Sequence, residues 1–161
     1  MVACTFFGHR ECYGLDSPVL HQAIEELIVK GVVTFYVGHQ GQFDSMVYSC
    51  LKQLSKKHPH IRVCVVLAYL PTEKNEYDDM TVTMYPEIEG HPKFAIERRN
   101  HWMIEVSEYC LCYINHTWGG AYKFAKLAKQ RGKTVINIGN VEIGGQQWKR
   151  LSAQALPCFC Y

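Results

Sequence analysis

The sequence predicts a single three-layer α/β domain, in which about five mainly parallel strands are covered by helices on both faces. Apolar runs of strand length alternate with segments whose apolar residues recur at helical spacing. The run at 61–69 is almost continuously apolar, which is typical of a parallel strand buried on both sides. Two glycine-bearing turns each lead from an apolar run into a helical pattern, as strand-to-helix connections in such domains do.

The first half of the chain supplies three strands and two helices in this order. Strands are predicted at 2–7, 32–37 and 61–69. The first helix begins after the capping residue Asp16, has Pro18 in its first turn, and ends before Gly31. The second helix is predicted at 43–58, where apolar residues share one face and Pro59 follows.

The second half begins with an irregular connection. Residues 70–93 include three prolines and the acidic stretch Glu76-Tyr77-Asp78-Asp79, with one short strand predicted near 80–85. Helices at 94–108 and 120–131 then alternate with strands at 109–114 and 134–138. We assign residues 1–139 to the domain and 140–161 to a C-terminal tail, for which one short helix near 146–155, packed on the domain, is an interpretation.

Composition restricts the class of protein. A chain of 161 residues with 48% apolar content suits one globular domain. Its net charge of +2 is small and evenly spread, so we expect no nucleic-acid partner. The first residues lack the basic region of a signal peptide, and no uncharged run approaches the ~20 residues that span a bilayer. The sequence therefore predicts a cytoplasmic protein without membrane contact.

The eight cysteines do not indicate a metal site or a disulfide framework. Four of them lie in predicted strands, where a small apolar side chain fits the core. Cys110 and Cys112, like Cys158 and Cys160, are separated by one residue, which is not the spacing of a structural zinc site. We expect reduced thiols, no metal and no cofactor.

Four loops are predicted to meet at one edge of the sheet, at 8–10, 38–41, 69–72 and 115–120. In open parallel sheets, ligands bind beyond the carboxyl ends of the strands at the point where the strand order reverses. Unpaired amides at a helix beginning, together with the helix dipole, favour phosphate or carboxylate. The two glycine turns therefore predict a nucleotide-type ligand.

The loop after the first strand offers three candidate binding residues, Gly8, His9 and Arg10. Glycine permits a close backbone approach, and the arginine fork suits phosphate. His9 is either a general acid or base or a plain hydrogen-bonding residue. The alternative interpretation of this loop is a surface turn with a solvated Arg10.

The turn after the second strand offers Gly38, Gln40, Gly41 and Asp44. The glycines lack the order of a dinucleotide fingerprint, yet the turn can receive an anion. Asp44 either contacts ribose hydroxyls or only complements the helix dipole.

The predicted helix at 94–108 carries Arg99 and Asn100 near its start, and we expect both to face the crevice. Solvent exposure of these polar residues is the alternative.

The turn after the fourth strand offers Thr117, Trp118, Gly119 and Gly120. Consecutive glycines allow positive φ and a close approach of a ligand to the backbone. Trp118 either stacks on a base or packs on the domain. The preceding His116 is a further acid or base candidate. No nucleophile elbow, Walker lysine or opposed carboxylate pair is present, so the residues favour binding over reaction.

Five motifs resemble a bacterial branch of the SLOG superfamily, small proteins with the domain of unknown function of a Bacillus cell-division-linked regulator. The resemblance covers about residues 2–139. Its motifs are Thr5-Phe6-Phe7-Gly8-His9-Arg10, Phe35-Tyr36-Val37-Gly38-x-Gln40-Gly41-x-Phe43-Asp44, Glu76-Tyr77-Asp78-Asp79, Arg99-Asn100-x-Trp102-Met103 and Trp118-Gly119-Gly120-Ala121.

The resemblance implies a Rossmann-like fold that binds nucleotides or nucleotide-sugars. Members of the superfamily include Lonely Guy phosphoribohydrolases, Smf/DprA DNA-processing proteins and sensors of ADP-ribose-like signals. The Lonely Guy enzymes carry a P-G-G-x-G-T-x-x-E turn with a catalytic glutamate. This chain keeps Gly119 and Gly120 but has Ala125-Lys126 where the carboxylate is expected.

Three functional hypotheses follow. The first is a module that binds a nucleotide or ADP-ribose-like molecule, with Arg10 and Arg99 near the phosphates. The second is a nucleoside monophosphate N-glycosidase in which Glu97, Asp44 or His9 replaces the missing carboxylate. The third is a regulator that contacts a partner protein through residues 70–93. A homodimer is expected by analogy with the family.

Overall fold

The computed structural model describes residues 1–70, 81–86 and 88–144. The strands are β1 (Ala3–Gly8), β2 (Thr34–Val37), β3 (Arg62–Val66), β4 (Thr81–Met84), β5 (Tyr109–Tyr113) and β6 (Thr134–Asn137). The helices are α1 (Ser17–Val29), α2 (Gly41–Lys57), α3 (Ala95–Glu105) and α4 (Gly120–Gln130). A 3-10 turn, Pro92–Phe94, precedes α3. The motif at 76–79 and the helix predicted at 146–155 lie outside the described residues.

The described strands form one sheet in the order β4-β3-β2-β1-β5-β6, and all five pairings are parallel. The α/β class with a parallel sheet is confirmed, and the sheet has six strands where about five were expected. The short strand predicted near 80–85 joins the sheet as β4, where Cys64 pairs with Val82. Val82 is 45% exposed, as expected for an edge strand that no further strand covers among the described residues.

The two faces of the sheet are buried by different helices. One core cluster packs β-strand residues such as Phe6 and Phe35 against α1 and α2. The other packs Phe7 and Cys112 against α3 and α4. Side chains alternate between the faces of a strand, which is why Phe6 and Phe7 belong to different clusters. The result is the three-layer arrangement that the alternating pattern predicts.

The chain reverses its direction of travel across the sheet at β1. From β1 it moves through β2 and β3 to β4, and then returns to place β5 on the other side of β1. Right-handed crossovers in the two directions put their helices on opposite faces. The carboxyl ends of β1 and β5 therefore flank the switch point where ligands of such sheets bind.

The start of the predicted tail packs on the second core cluster. Ile143 is buried, and the backbone N–H of Val141 donates to the Ile114 carbonyl over 3.1 Å. The boundary drawn after residue 139 stays a prediction. Across the described residues, none of the helices combines the length and apolarity that crossing a bilayer requires.

Candidate functional site

A cavity of about 670 Å³ opens at the switch point and is called here the switch-point cavity. Its walls come from the ends of β1, β2 and β5, the first turns of α2 and α4, and one side of α3. The residues singled out from the sequence that line it after β1 are Gly8, His9 and Arg10. Those after β2 are Gly38, Gln40 and Asp44, and α3 supplies Arg99 and Asn100. Those after β5 are Trp118, Gly119 and Gly120.

The loops after β1 and β2 are held against each other by close backbone contact. The Gln42 N–H donates to the Arg10 carbonyl over 2.9 Å. Gly41 has φ +88°, and a Cβ there would lie 3.1 Å from the Arg10 Cα. A Cβ on Gly8 would overlap the ring of Phe43, at 2.2 Å from its Cγ. The glycines therefore allow the first turn of α2 to close on the end of β1.

The beginning of α2 differs from the anion-receiving turn expected there. The Gln40 N–H donates to Asp44 Oδ2 over 2.8 Å, and the Gln42 N–H is occupied by Arg10. Protein acceptors thus satisfy two of the amides that the sequence assigned to a ligand. Gly41 lines a neighbouring cavity of about 200 Å³ and is not part of the wall of the switch-point cavity.

Two charged residues, buried Arg99 and partly buried Asp44, lie between β2 and α3 at the floor of the cavity. Arg99 is only 4% exposed, and its guanidinium donates to the Val66 carbonyl over 3.2 Å and to Asn100 Oδ1 over 3.0 Å. An arginine has five N–H donors, so donors remain for a ligand. A Cβ on Gly38 would lie 2.7 Å from Asp44 Oδ2 and 3.1 Å from Arg99 Nη1. Glycine at this position lets both side chains approach the backbone.

The two charges influence each other's protonation. Burial raises the pKa of Asp44, while the Gln40 N–H and the nearby Arg99 oppose that rise. Burial lowers the pKa of Arg99, and the neighbouring Asp44 opposes the change. An arginine stays charged at neutral pH even so. The floor of the cavity therefore carries a positive, donor-rich group beside a carboxyl group that is easier to protonate than usual.

The beginning of α4 is open, in contrast to that of α2. Gly119 precedes the helix with φ +89°, no side chain caps it, and no acidic residue lies in its first turn. The first backbone bond of the helix runs from the Lys123 N–H to the Gly119 carbonyl. The amides of Gly120, Ala121 and Tyr122 precede that bond and have no acceptor within the helix. Nothing lies within 4 Å of a Cβ built on Gly120, so a ligand has room at this helix beginning.

Three aromatic rings stack beside that helix beginning. The rings of His9 and His116 lie 3.6 Å apart, and those of His116 and Trp118 lie 3.7 Å apart, each pair inclined by 16°. His116 Nδ1 donates to the Trp118 carbonyl over 2.9 Å, since a carbonyl only accepts. The Asn115 N–H donates to His9 Nε2 over 2.9 Å. These bonds hold the loops after β1 and β5 in a fixed mutual position.

This arrangement favours the neutral form of His9, so we expect the free energy of unfolding to depend on pH. Burial, and then the charge of His116, lower the pKa of His9 below its usual 6.5. Between 6.5 and the lowered value, the unfolded chain binds more protons than the folded one. The free energy of unfolding should therefore fall as the pH drops through this window. Titration of the His9 ring signals by NMR should give a midpoint below 6.5; a midpoint at or above 6.5 would contradict the burial of the ring beside His116.

Besides Gly41, two further candidates from the sequence lie outside the wall of the switch-point cavity. Glu97, proposed as a replacement carboxylate, is bound by Lys123 over 2.7 Å and lies 3.8 Å from His101. This ion pair holds it on the exposed side of α3, away from the cavity. Thr117 is not among the lining residues either. The solvent-exposed alternative for Arg99 and Asn100 is wrong, because α3 turns both toward the buried floor.

Two asparagines that sequence reasoning did not select organise the β5 end of the site. Asn115 lines the cavity, and its Oδ1 accepts from the Asn140 N–H over 2.9 Å. Buried Asn137 accepts from the Ile114 N–H over 2.9 Å and donates to the Ile114 carbonyl over 3.0 Å. All three bonds join segments distant in the chain, so no local sequence signal could have revealed them.

The described part of the chain shows no group of three or more histidine, cysteine or acidic residues placed to hold a metal ion. Six cysteines are described, and each is free and buried. Cys110 and Cys112 face the same core with their sulfurs 3.3 Å apart.

Comparison with known proteins places the fold. No family model and no curated protein matches the sequence. Among solved structures, the X-ray structure of DNA processing protein A (DprA) from Streptococcus pneumoniae superposes with a TM-score of 0.65 at 15% identity. The match covers 89% of this chain and 52% of the DprA chain. This chain has the fold of that part of DprA.

The DprA match agrees, at the level of the fold, with the resemblance of the motifs to a superfamily that includes Smf/DprA proteins. The particular bacterial branch stays a prediction. The name of DprA associates that protein with DNA, so the match gives no support for excluding nucleic acid as a partner. The chain spans about half the length of DprA, and the activity of the whole protein is not carried over.

Proposed function

We propose that this chain binds a phosphate-bearing nucleotide or nucleotide-sugar in the switch-point cavity. The observation that carries the proposal is that the open beginning of α4 and buried Arg99 line the same cavity. Free amides and the helix dipole favour an anion, and a buried guanidinium offers charge-assisted hydrogen bonds to phosphate oxygens.

The size and charge of the cavity support this ligand class. A volume of about 670 Å³ lies within the range typical of small-molecule sites. Arg10 reaches the cavity from the exposed rim and adds a second fork for phosphate. Asp44 and Asn100 supply acceptors that suit sugar hydroxyls. The beginning of α2, where the Gln40 and Gln42 amides are occupied, contributes shape and the Asp44 carboxyl group.

Isothermal titration with AMP, ADP-ribose and cyclic ADP-ribose isomers tests the proposal. We expect saturable one-site heat with at least one of them, weakened by added phosphate because the phosphate site is shared. A short single-stranded oligonucleotide belongs in the same series, given the DNA association of DprA. Absence of heat with every probe, together with no small molecule carried by the purified protein in native mass spectrometry, would overturn the proposal.

N-Glycoside cleavage is a second candidate, favoured by one observation. Asp44 lines the cavity, and its raised pKa would allow a carboxyl group to exchange protons nearer to neutral pH. Chromatography of the protein incubated with AMP, analysed for free adenine, tests this activity, with Asp44→Asn as the control.

Three further expectations from the sequence stay predictions: a homodimer, a cytoplasmic location and a partner contact through residues 70–93.

A further inference from the structure

The three-ring stack of His9, His116 and Trp118 is built like a platform with one free end. His9 forms the lower end, which is partly buried, and Trp118 forms the upper end, which is 70% exposed. Each ring lies within 3.7 Å of the next at an inclination of 16°. Among the described residues, one face of the Trp118 indole carries an imidazole and no ring covers the other.

Trp118 is not exposed in the way of a tryptophan that packs on the domain. Indole buries a large apolar area when it serves the core, and Trp102 does so by packing against the second core cluster and the edge of Tyr36. Trp118 instead keeps most of its surface open while lining the switch-point cavity. Its backbone carbonyl is held by His116, so the residue is fixed in place although it is exposed.

The neighbours of Trp118 supply the other requirements of a nucleotide. Gly119 and Gly120 follow it directly and begin α4 with open amides. Arg99 lies on the wall of the same cavity. A flat apolar surface therefore stands next to donors for an anion, and a nucleotide joins a flat aromatic base to phosphate through a sugar.

We propose that the open face of Trp118 stacks on the aromatic base of the ligand, while the beginning of α4 and Arg99 receive its phosphate. This inference rests on the proposed function and names the part of the ligand that the exposed ring recognises. Stacking tolerates any base because every base has a π face, so the platform selects base-bearing ligands over sugar phosphates rather than one base over another.

Paired titrations of the full chain with AMP and with ribose 5-phosphate test this inference. Trp118→Ala should weaken AMP binding by about 5- to 150-fold, the range for loss of one stacked base. It should change the affinity for ribose 5-phosphate by less than about twofold, because that probe has no base to stack. Trp118→Phe should recover most of the AMP affinity. Trp102→Phe is the matched control and should change neither affinity, since Trp102 does not line the cavity.

The outcomes separate this inference from the proposed function. Binding of both probes with no effect of Trp118→Ala overturns the platform and leaves the phosphate site standing. Equal weakening of both probes also overturns it, because the tryptophan then only supports the loop. Failure of wild-type protein to bind either probe overturns both proposals. A single-stranded oligonucleotide that binds with the same Trp118 dependence supports the platform and shows that the base and phosphate come from a strand.

Discussion

Replacing Arg99 with methionine is expected to weaken AMP binding by at least about a hundredfold. The guanidinium is 4% exposed and lines the switch-point cavity, so its bonds to a phosphate form away from competing water. Each hydrogen bond to a charged group contributes about 1.5–3 kcal/mol, and two such bonds account for a loss of this size. Isothermal titration of AMP into both proteins measures the effect.

Two further variants make this experiment specific. Arg98→Met removes the same charge from the adjacent residue, whose guanidinium donates to the His91 carbonyl outside the cavity, and should leave AMP affinity unchanged. Arg99→Lys keeps the charge but loses the planar fork, and should give an intermediate affinity. Because Arg99→Met leaves partly buried Asp44 without its neighbouring cation, thermal unfolding must first show that the variant is folded. An Arg99→Met affinity within twofold of wild type would contradict the role of Arg99.

The second large effect is expected at Gly139, where alanine should lower the free energy of unfolding by about 3 kcal/mol. An alanine Cβ would lie 2.4 Å from the Ile114 carbonyl oxygen and 2.7 Å from the Ile114 nitrogen. These are backbone atoms, and Asn137 fixes both through its side chain. The clash therefore cannot be relieved by a side-chain rotation. Urea unfolding followed by circular dichroism measures the change.

Gly120→Ala is the matched control for this substitution. No atom lies within 4 Å of a Cβ at Gly120, so its unfolding free energy should stay within about 0.5 kcal/mol of wild type. If Gly139→Ala proved equally harmless, the close contact between the segment after β6 and the end of β5 would be refuted.

The order of strands and helices could be predicted from the sequence because apolar runs and helical periodicity are local signals. The short strand predicted near 80–85 is β4, but its signal is weak, because its burial does not alternate along the strand and Val82 is 45% exposed. An edge strand that buries little apolar surface resembles a loop when only hydrophobic pattern is considered.

For the candidate site, the sequence predicts which loops meet but not the contacts between them. Ligands of open parallel sheets bind beyond the carboxyl ends of the strands, and this rule correctly predicts that the loops after β1, β2 and β5 meet, because parallel strands end at one edge. It cannot show that Arg10 and Asp44 satisfy amides at the beginning of α2, since one of these contacts joins different loops. Nor can it show that His9 and His116 stack, because these residues meet only through the pairing of β1 with β5.

Amide correlation NMR of isotope-labelled protein during an AMP titration tests most directly whether the open beginning of α4 holds a phosphate. The amide signals of Gly119, Gly120 and Ala121 should shift along one saturation curve, and the Gln40 and Gln42 amides, already bonded within the protein, should shift much less. Unchanged signals at Gly119, Gly120 and Ala121 at saturating AMP, with shifts confined to other surfaces, would contradict a phosphate site at α4.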